Sequence, residues 1–186
     1  MDIIKRRGIM KRKLLCVLLC AGLLLLWMPM AAWGADTSCT YIDENGVEQS
    51  TTATIIEGSG PGETLTSGWY IVQDAGVIRS STVTIDGDVH LILADGASLE
   101  VTGDNDNAGI DVSGDSLTIY GQSLGTGVVT VTGGSRGAGI GGGDGEAGGT
   151  VTINGGTVTA KGGFNGAGIG GGQNESGGTV TINGGT

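Results

Sequence analysis

The chain repeats itself, and that constrains its fold more than any other feature. Gly137–Gly143 reads GAGIGGG, and Gly166–Gly172 reads the same. Gly148–Thr157 reads GGTVTINGGT and recurs unchanged at Gly177–Thr186, so both matches lie twenty-nine residues apart. A degenerate copy precedes them at an offset of thirty: Asn107-Ala108-Gly109-Ile110 aligns with Gly137 onward, and Ser98–Gly103 with Val128–Gly133. Self-similarity at this period marks a stack of small units, each burying its apolar face against the next.

Inside each unit the hydrophobic period is two. Thr150-Val151-Thr152-Ile153-Asn154, Thr157-Val158-Thr159-Ala160 and Ala167-Gly168-Ile169 read as three short strands separated by glycine pairs. Alternation places Val151, Ile153, Val158, Ala160 and Ile169 inside and the threonines outside. β-Branched residues suit extended backbone, and Gly155-Gly156 and Gly162-Gly163 supply freedom for sharp corners. Forty glycines exclude a helical fold. The expectation is an all-β, right-handed parallel β-helix, a solenoid with about 29–30 residues and three strands per coil. Val151 should then lie under Val180, Ile153 under Ile182, and Asn154 under Asn183 as the start of an amide ladder.

Upstream, Ser116-Leu117-Thr118-Ile119-Tyr120 takes the place of TVTIN, with five extra residues within Gly121–Gly127, and His90-Leu91-Ile92-Leu93 takes it one coil earlier. Residues 64–186 read as an N-terminal cap, Thr64–Val72, followed by about three coils. Residues 36–63 are polar, with Asn45-Gly46 and Pro61-Gly62 as turns, and read as a leader or linker. The chain stops at Thr186, where the earlier copy runs on into Val158, and so reads as the front of a longer protein.

Residues 1–35 belong to a different physical problem. Lys5, Arg6, Arg7, Lys11, Arg12 and Lys13 precede the apolar run Leu14–Trp27, which is short for a membrane span and ends in Pro29 and small residues. This is the pattern of an export signal for the general secretory route, with cleavage after Gly34 or Ala35. Met10 also fits as a start, and a retained anchor is the alternative. After its removal Arg79, Arg136 and Lys161 face eighteen acidic residues, a net charge of −15. Such a surface repels nucleic acid and anionic lipid heads and suits divalent cations. Cys39 is then a lone thiol beside a mobile N-terminus, with an intermolecular bridge as the alternative, and no internal disulfide can form.

With those residues in view a resemblance emerges. Gly68-Trp69-Tyr70, Val89–Gly96, Ser116–Gln122 and the AGIGGG and GGTVTINGGTVTA copies resemble a family of large repeat-bearing surface proteins of Gram-positive anaerobic bacteria. The resemblance implies export and a right-handed parallel β-helix. A looser likeness is to calcium-dependent carbohydrate-binding β-helix modules, and no site residues carry over from either.

The patterns that would carry catalysis are incomplete in the chain. A lyase of the pectate type would face calcium carboxylates with an arginine or lysine base, yet Arg136 and Lys161 fall in glycine-rich corners beside no acidic cluster. A glycosidase would need convergent carboxylates, whereas Asp144 and Glu146 give way to Gln173 and Glu175 one coil on. His90, the single histidine, is expected outward and has no Cys or His neighbours for zinc. GAGIGGG lacks the lysine and helix of a phosphate loop. Calcium is the one ligand with a positive case: Asp104, Asp106 and Asp111 are the candidate ligands, in Asp104-Asn105-Asp106-Asn107 and just beyond, against the alternative of a solvated acidic loop. The T-x-T rows occur in some ice-binding solenoids and equally suit any exposed strand. Of the aromatics, Tyr120 and Phe164 are expected near exposed corners, where a sugar ring could stack.

The sequence therefore supports a non-catalytic exported repeat protein, at the cell surface or secreted, acting as a spacer, adhesin or polysaccharide-binding module. Its expected partner is cell-wall or extracellular polysaccharide. The alternative is a polysaccharide-active β-helix lyase or glycosidase whose groove lies beyond Thr186.

Overall fold

The computed structural model describes Gly34–Thr186, so the export signal read in residues 1–35 lies almost wholly outside the described residues. The described residues form strands and no helix. In chain order these are β1 (Asp36–Ile42), β2 (Glu48–Ile56), β3 (Ser59–Gly60), β4 (Thr64–Val72) and β5 (Val77–Arg79). Next come β6 (Val83–Leu93), β7 (Ser98–Thr102), β8 (Ile110–Asp111), β9 (Ser116–Gly121) and β10 (Val128–Thr132). The last are β11 (Ile140–Gly141), β12 (Thr150–Ile153), β13 (Thr157–Lys161), β14 (Ile169–Gly170) and β15 (Thr179–Ile182).

All strand pairs but one are parallel, and they form three stacks that the chain visits in turn. The first half of β6 pairs with β8, which leads to β11 and β14; the second half pairs with β9, which leads to β12 and β15. The third stack runs β3, β5, β7, β10, β13. This arrangement is compatible with a β-solenoid. The registers are those the repeat implies: Val151 beside Val180, Ile153 beside Ile182, Val129 beside Val158 and Ile140 beside Ile169. Asn183 Nδ2 donates to Asn154 Oδ1 at 2.8 Å, completing the expected amide pair.

The core is the set of inward columns. Leu91, Ile119 and Ile153 form one, Val89, Leu117 and Val151 another, and Leu99 and Val129 belong to the third stack. Toward the C-terminal side the columns open, with Val180 and Ile182 exposed. The glycine pairs have two distinct causes. Gly156 and Gly185, at equivalent corners, have φ of 79° and 84°, where a side chain is strained. Gly163 is needed for close approach, because a Cβ there would run into the carbonyl oxygen of Gly134 in the neighbouring corner.

Two expectations are corrected at the N-terminal side. Asp36–Glu63, read as a linker, holds β1, β2 and β3. Its run of threonines, Thr51-Thr52-Ala53-Thr54, favours extended backbone as strongly as the repeats do. Thr64–Val72, read as a cap, is instead an inner strand, β4, paired with β2 and β6 on its two sides. The edge strand is β1, the only one that runs antiparallel to its neighbour. Its hairpin lies over the outer face of the sheet. Ile71 and Ile92 occupy outward positions yet are fully buried, the Tyr41 ring sits 4.6 Å from Trp69 and 4.7 Å from Tyr120, and Gln122 Nε2 donates to the Thr40 carbonyl at 2.9 Å.

Candidate functional site

The three candidate calcium ligands are not brought together. Asp104 accepts from Asn107 Nδ2 at 3.0 Å and from Thr82 Oγ1 at 3.1 Å, and these bonds hold its carboxyl below the usual carboxylate range. Asp106 turns toward Arg136, and Asp111 accepts from the Ser113 amide at 3.0 Å. Among the described residues no three His, Cys, Asp or Glu side chains converge as a metal group.

Among the basic residues, Arg136 departs from expectation. Arg136 does have acidic neighbours: its Nη1 lies 3.0 Å from Asp144 and 3.7 Å from Asp106, which raise its pKa. Three stacked corner loops meet there, shown by the Asp144 amide donating to the Asp106 carbonyl and the Gln173 amide to the Arg136 carbonyl. Arg79 is buried, pairs with Glu63 at 2.7 Å and donates to the carbonyls of Gly58, Ile78 and Glu57. It continues the inward column of Val101 and Val131, so its stem covers that column while its head is neutralised. Lys161 is exposed at the end of β13.

His90 faces outward, as expected, but it is not free. Its ring stacks on Trp69 at 4.3 Å and 15°, with Nδ1 3.3 Å from the Tyr120 hydroxyl and Nε2 3.4 Å from Asp88. Tyr120, expected near an exposed corner, is buried beneath Tyr41, and burial first, then the nearby Tyr41, Glu44 and Asp88, push its pKa up to about 12. The Trp69 indole packs against three rings, Tyr41, His90 and Tyr120, so this cluster is no open platform for a sugar. Phe164 is exposed as expected.

What the sequence did not signal is a groove of about 410 Å³ along one corner. Its floor is Asn154-Gly155-Gly156 with Gly185-Thr186 of the next rung, and its walls are Ile42 at the end of β1 and Gln122–Gly125. That second wall lies within the five-residue excess that makes the rung from Leu117 to Val151 longer than the regular twenty-nine residues. The excess is tied down: Asp95 accepts from the amides of Leu124 and Thr126 at 3.0 and 3.2 Å, and Gln122 Oε1 accepts from the Asp95 amide at 3.1 Å. Leu124 is left 75% exposed. No ionisable side chain lines the groove.

Compared with known protein families, curated proteins and solved structures, the chain matches none.

Proposed function

We propose that the chain is a right-handed parallel β-helix, exported to the cell surface or secreted, and that it acts without catalysis as a spacer, adhesin or polysaccharide-binding module. The observation that carries the reading is the in-register stacking of near-identical rungs, Thr150-Val151-Thr152-Ile153 on Thr179-Val180-Thr181-Ile182. Such a scaffold extends by repetition and presents the same outward side chains at ~4.8 Å intervals, which suits display and contact with repetitive polymers. The positions of Arg79 and Arg136 support the absence of catalysis, because both guanidiniums are committed to structural ion pairs. The amino-terminal pattern of basic residues, apolar run and small residues supports export.

The test is to incubate the protein with plant, microbial and animal polysaccharides and follow both retention and release of reducing or unsaturated sugar ends. Retention without release is expected. Turnover that disappears on changing one acidic residue would overturn the non-catalytic reading and favour a β-helix enzyme.

A further inference from the structure

We propose that the corner groove between Ile42 and the Gln122–Gly125 loop is a binding site for an internal stretch of an uncharged polysaccharide. This rests on the polysaccharide-binding form of the function proposed above and gives it a place and a ligand class.

The polar half of the site begins with Asn154. It is only 8% exposed, yet it lines the groove. Its Oδ1 is taken by Asn183 Nδ2, while its own Nδ2, with two N–H donors, has no acceptor among the described residues. Among the described residues no buried side-chain nitrogen or oxygen is sealed off without a partner, so these donors reach solvent, and Asn154 meets solvent along the groove. Ser123, exposed on the wall, adds a hydroxyl that can donate or accept. Both groups suit a ligand dense in hydroxyl oxygens.

The apolar half is Leu124 with Ile42. An exposed leucine on a loop held by five hydrogen bonds to Asp95 and Gln122 is a rigid apolar surface with nothing of the protein against it. The C–H face of a pyranose ring meets such a surface while its equatorial hydroxyls reach the floor. Because the floor is glycine, the ligand can approach the main chain closely.

Charge selects the class. The side chains that line the groove carry no charge, and the chain after residue 35 carries a net charge of −15, so uronic-acid or sulfated polymers are repelled. The volume lies in the range of ordinary ligand sites. The groove is open rather than enclosed, so a chain can run through it instead of being gripped by its end.

The experiment is affinity electrophoresis and calorimetry of the protein against mixed-linkage β-glucan, xyloglucan and galactomannan, with polygalacturonate as the anionic comparison. At least one neutral polymer should be retained and polygalacturonate should not. Leu124→Ala, at an exposed position that leaves folding intact, should weaken retention roughly tenfold through lost apolar contact. Leu124→Trp should strengthen it by offering an aromatic surface. Phe164→Ala, at a different corner, should change nothing. Neutral-polymer binding that ignores Leu124 but falls with Phe164→Ala would overturn the groove and leave polysaccharide binding standing. Retention of polygalacturonate alone would overturn the uncharged class. Retention of none of the neutral polymers would overturn the proposal while leaving a spacer or adhesin role intact.

Discussion

At the scale of single residues, inside and outside are separated by one position. Ile153 is buried between Ile119 and Ile182, while Thr152 points away beside Thr118 and Thr181. Ile153→Asp should cost several kcal/mol by placing an unpaired charge in the column, whereas Thr152→Asp should cost under ~0.5 kcal/mol. Urea denaturation of the two variants measures the difference, and equal sensitivity would contradict the alternation. Tyr120 offers a second test at this scale. Its folded pKa is pushed up from the ordinary tyrosine value of 10.0 to about 12, so the fold favours the protonated phenol. The stability this gives is fully present below pH 10 and is lost as pH climbs toward about 12. A phenolate absorbance titration should show one late transition, absent in Tyr120→Phe, and that variant should lose less stability across the same window.

At the scale of elements, the hairpin of β1 and β2 and the stacked corner loops each have one residue that organises them. Asp43 holds the hairpin turn, its Oδ1 accepting from the amides of Asn45 and Val47 at 3.0 and 2.9 Å and its Oδ2 from Gln49 Nε2 at 3.0 Å. These bonds lower its pKa, so their contribution is present above the usual value of 3.8 and is lost as pH falls through the lower folded value. Cys39 reports on the same hairpin, since its thiol is buried in β1 rather than lying at a mobile end, and burial raises its pKa. Labelling of Cys39 by a dipyridyl disulfide should be slow in the folded protein, accelerate below pH 4, and be fast already at neutral pH in Asp43→Ala. In the corner loops Arg136 fills the position between Asp106 and Asp144 that a divalent cation would take. A chelator should therefore leave the melting temperature unchanged. Arg136→Ala should lower it through the unbalanced carboxylates, and added calcium should then restore part of the loss. A fall on chelation of the unaltered protein would reinstate Asp104, Asp106 and Asp111 as calcium ligands.

At the scale of the whole molecule, the repeat made the stacks legible and little else. Identical segments must pair with themselves, so the register of Thr150–Ile153 on Thr179–Ile182, and the place of His90 one rung before Thr118, could be read directly. Alternation also told which side of a strand faces inward. It could not tell what covers the outer side. Tyr120 is buried because Tyr41, from a segment with no part in the repeat, folds back over it. Arg136 finds its partners in Asp144, eight residues on across the same corner, and in Asp106 of the coil before, a pairing that strand alternation does not reveal. The groove was hidden for the same reason: its floor is repeat, but its walls are an irregular insertion and the end of the hairpin.

The stacking of rungs also sets how the molecule would bear a load. Backbone hydrogen bonds between rungs run along the stacking direction, as in the Asn154 amide to the Ile119 carbonyl and the Asn183 amide to the Ile153 carbonyl. Tension along that direction is therefore carried by one rung boundary at a time, and the boundaries fail in series rather than together. Each failure of a regular rung releases the twenty-nine residues separating Asn154 from Asn183, ~100 Å of extended chain. A force–extension record of the tethered protein should show a ladder of separate steps, longest where the insertion at Gln122–Gly125 lengthens the rung and shorter toward the N-terminal strands, where Leu65 pairs with Ile85. A single abrupt rupture would mean that the rungs are mechanically coupled. As a spacer, such a chain would yield by measured lengths, absorbing a pull while its remaining rungs stay folded.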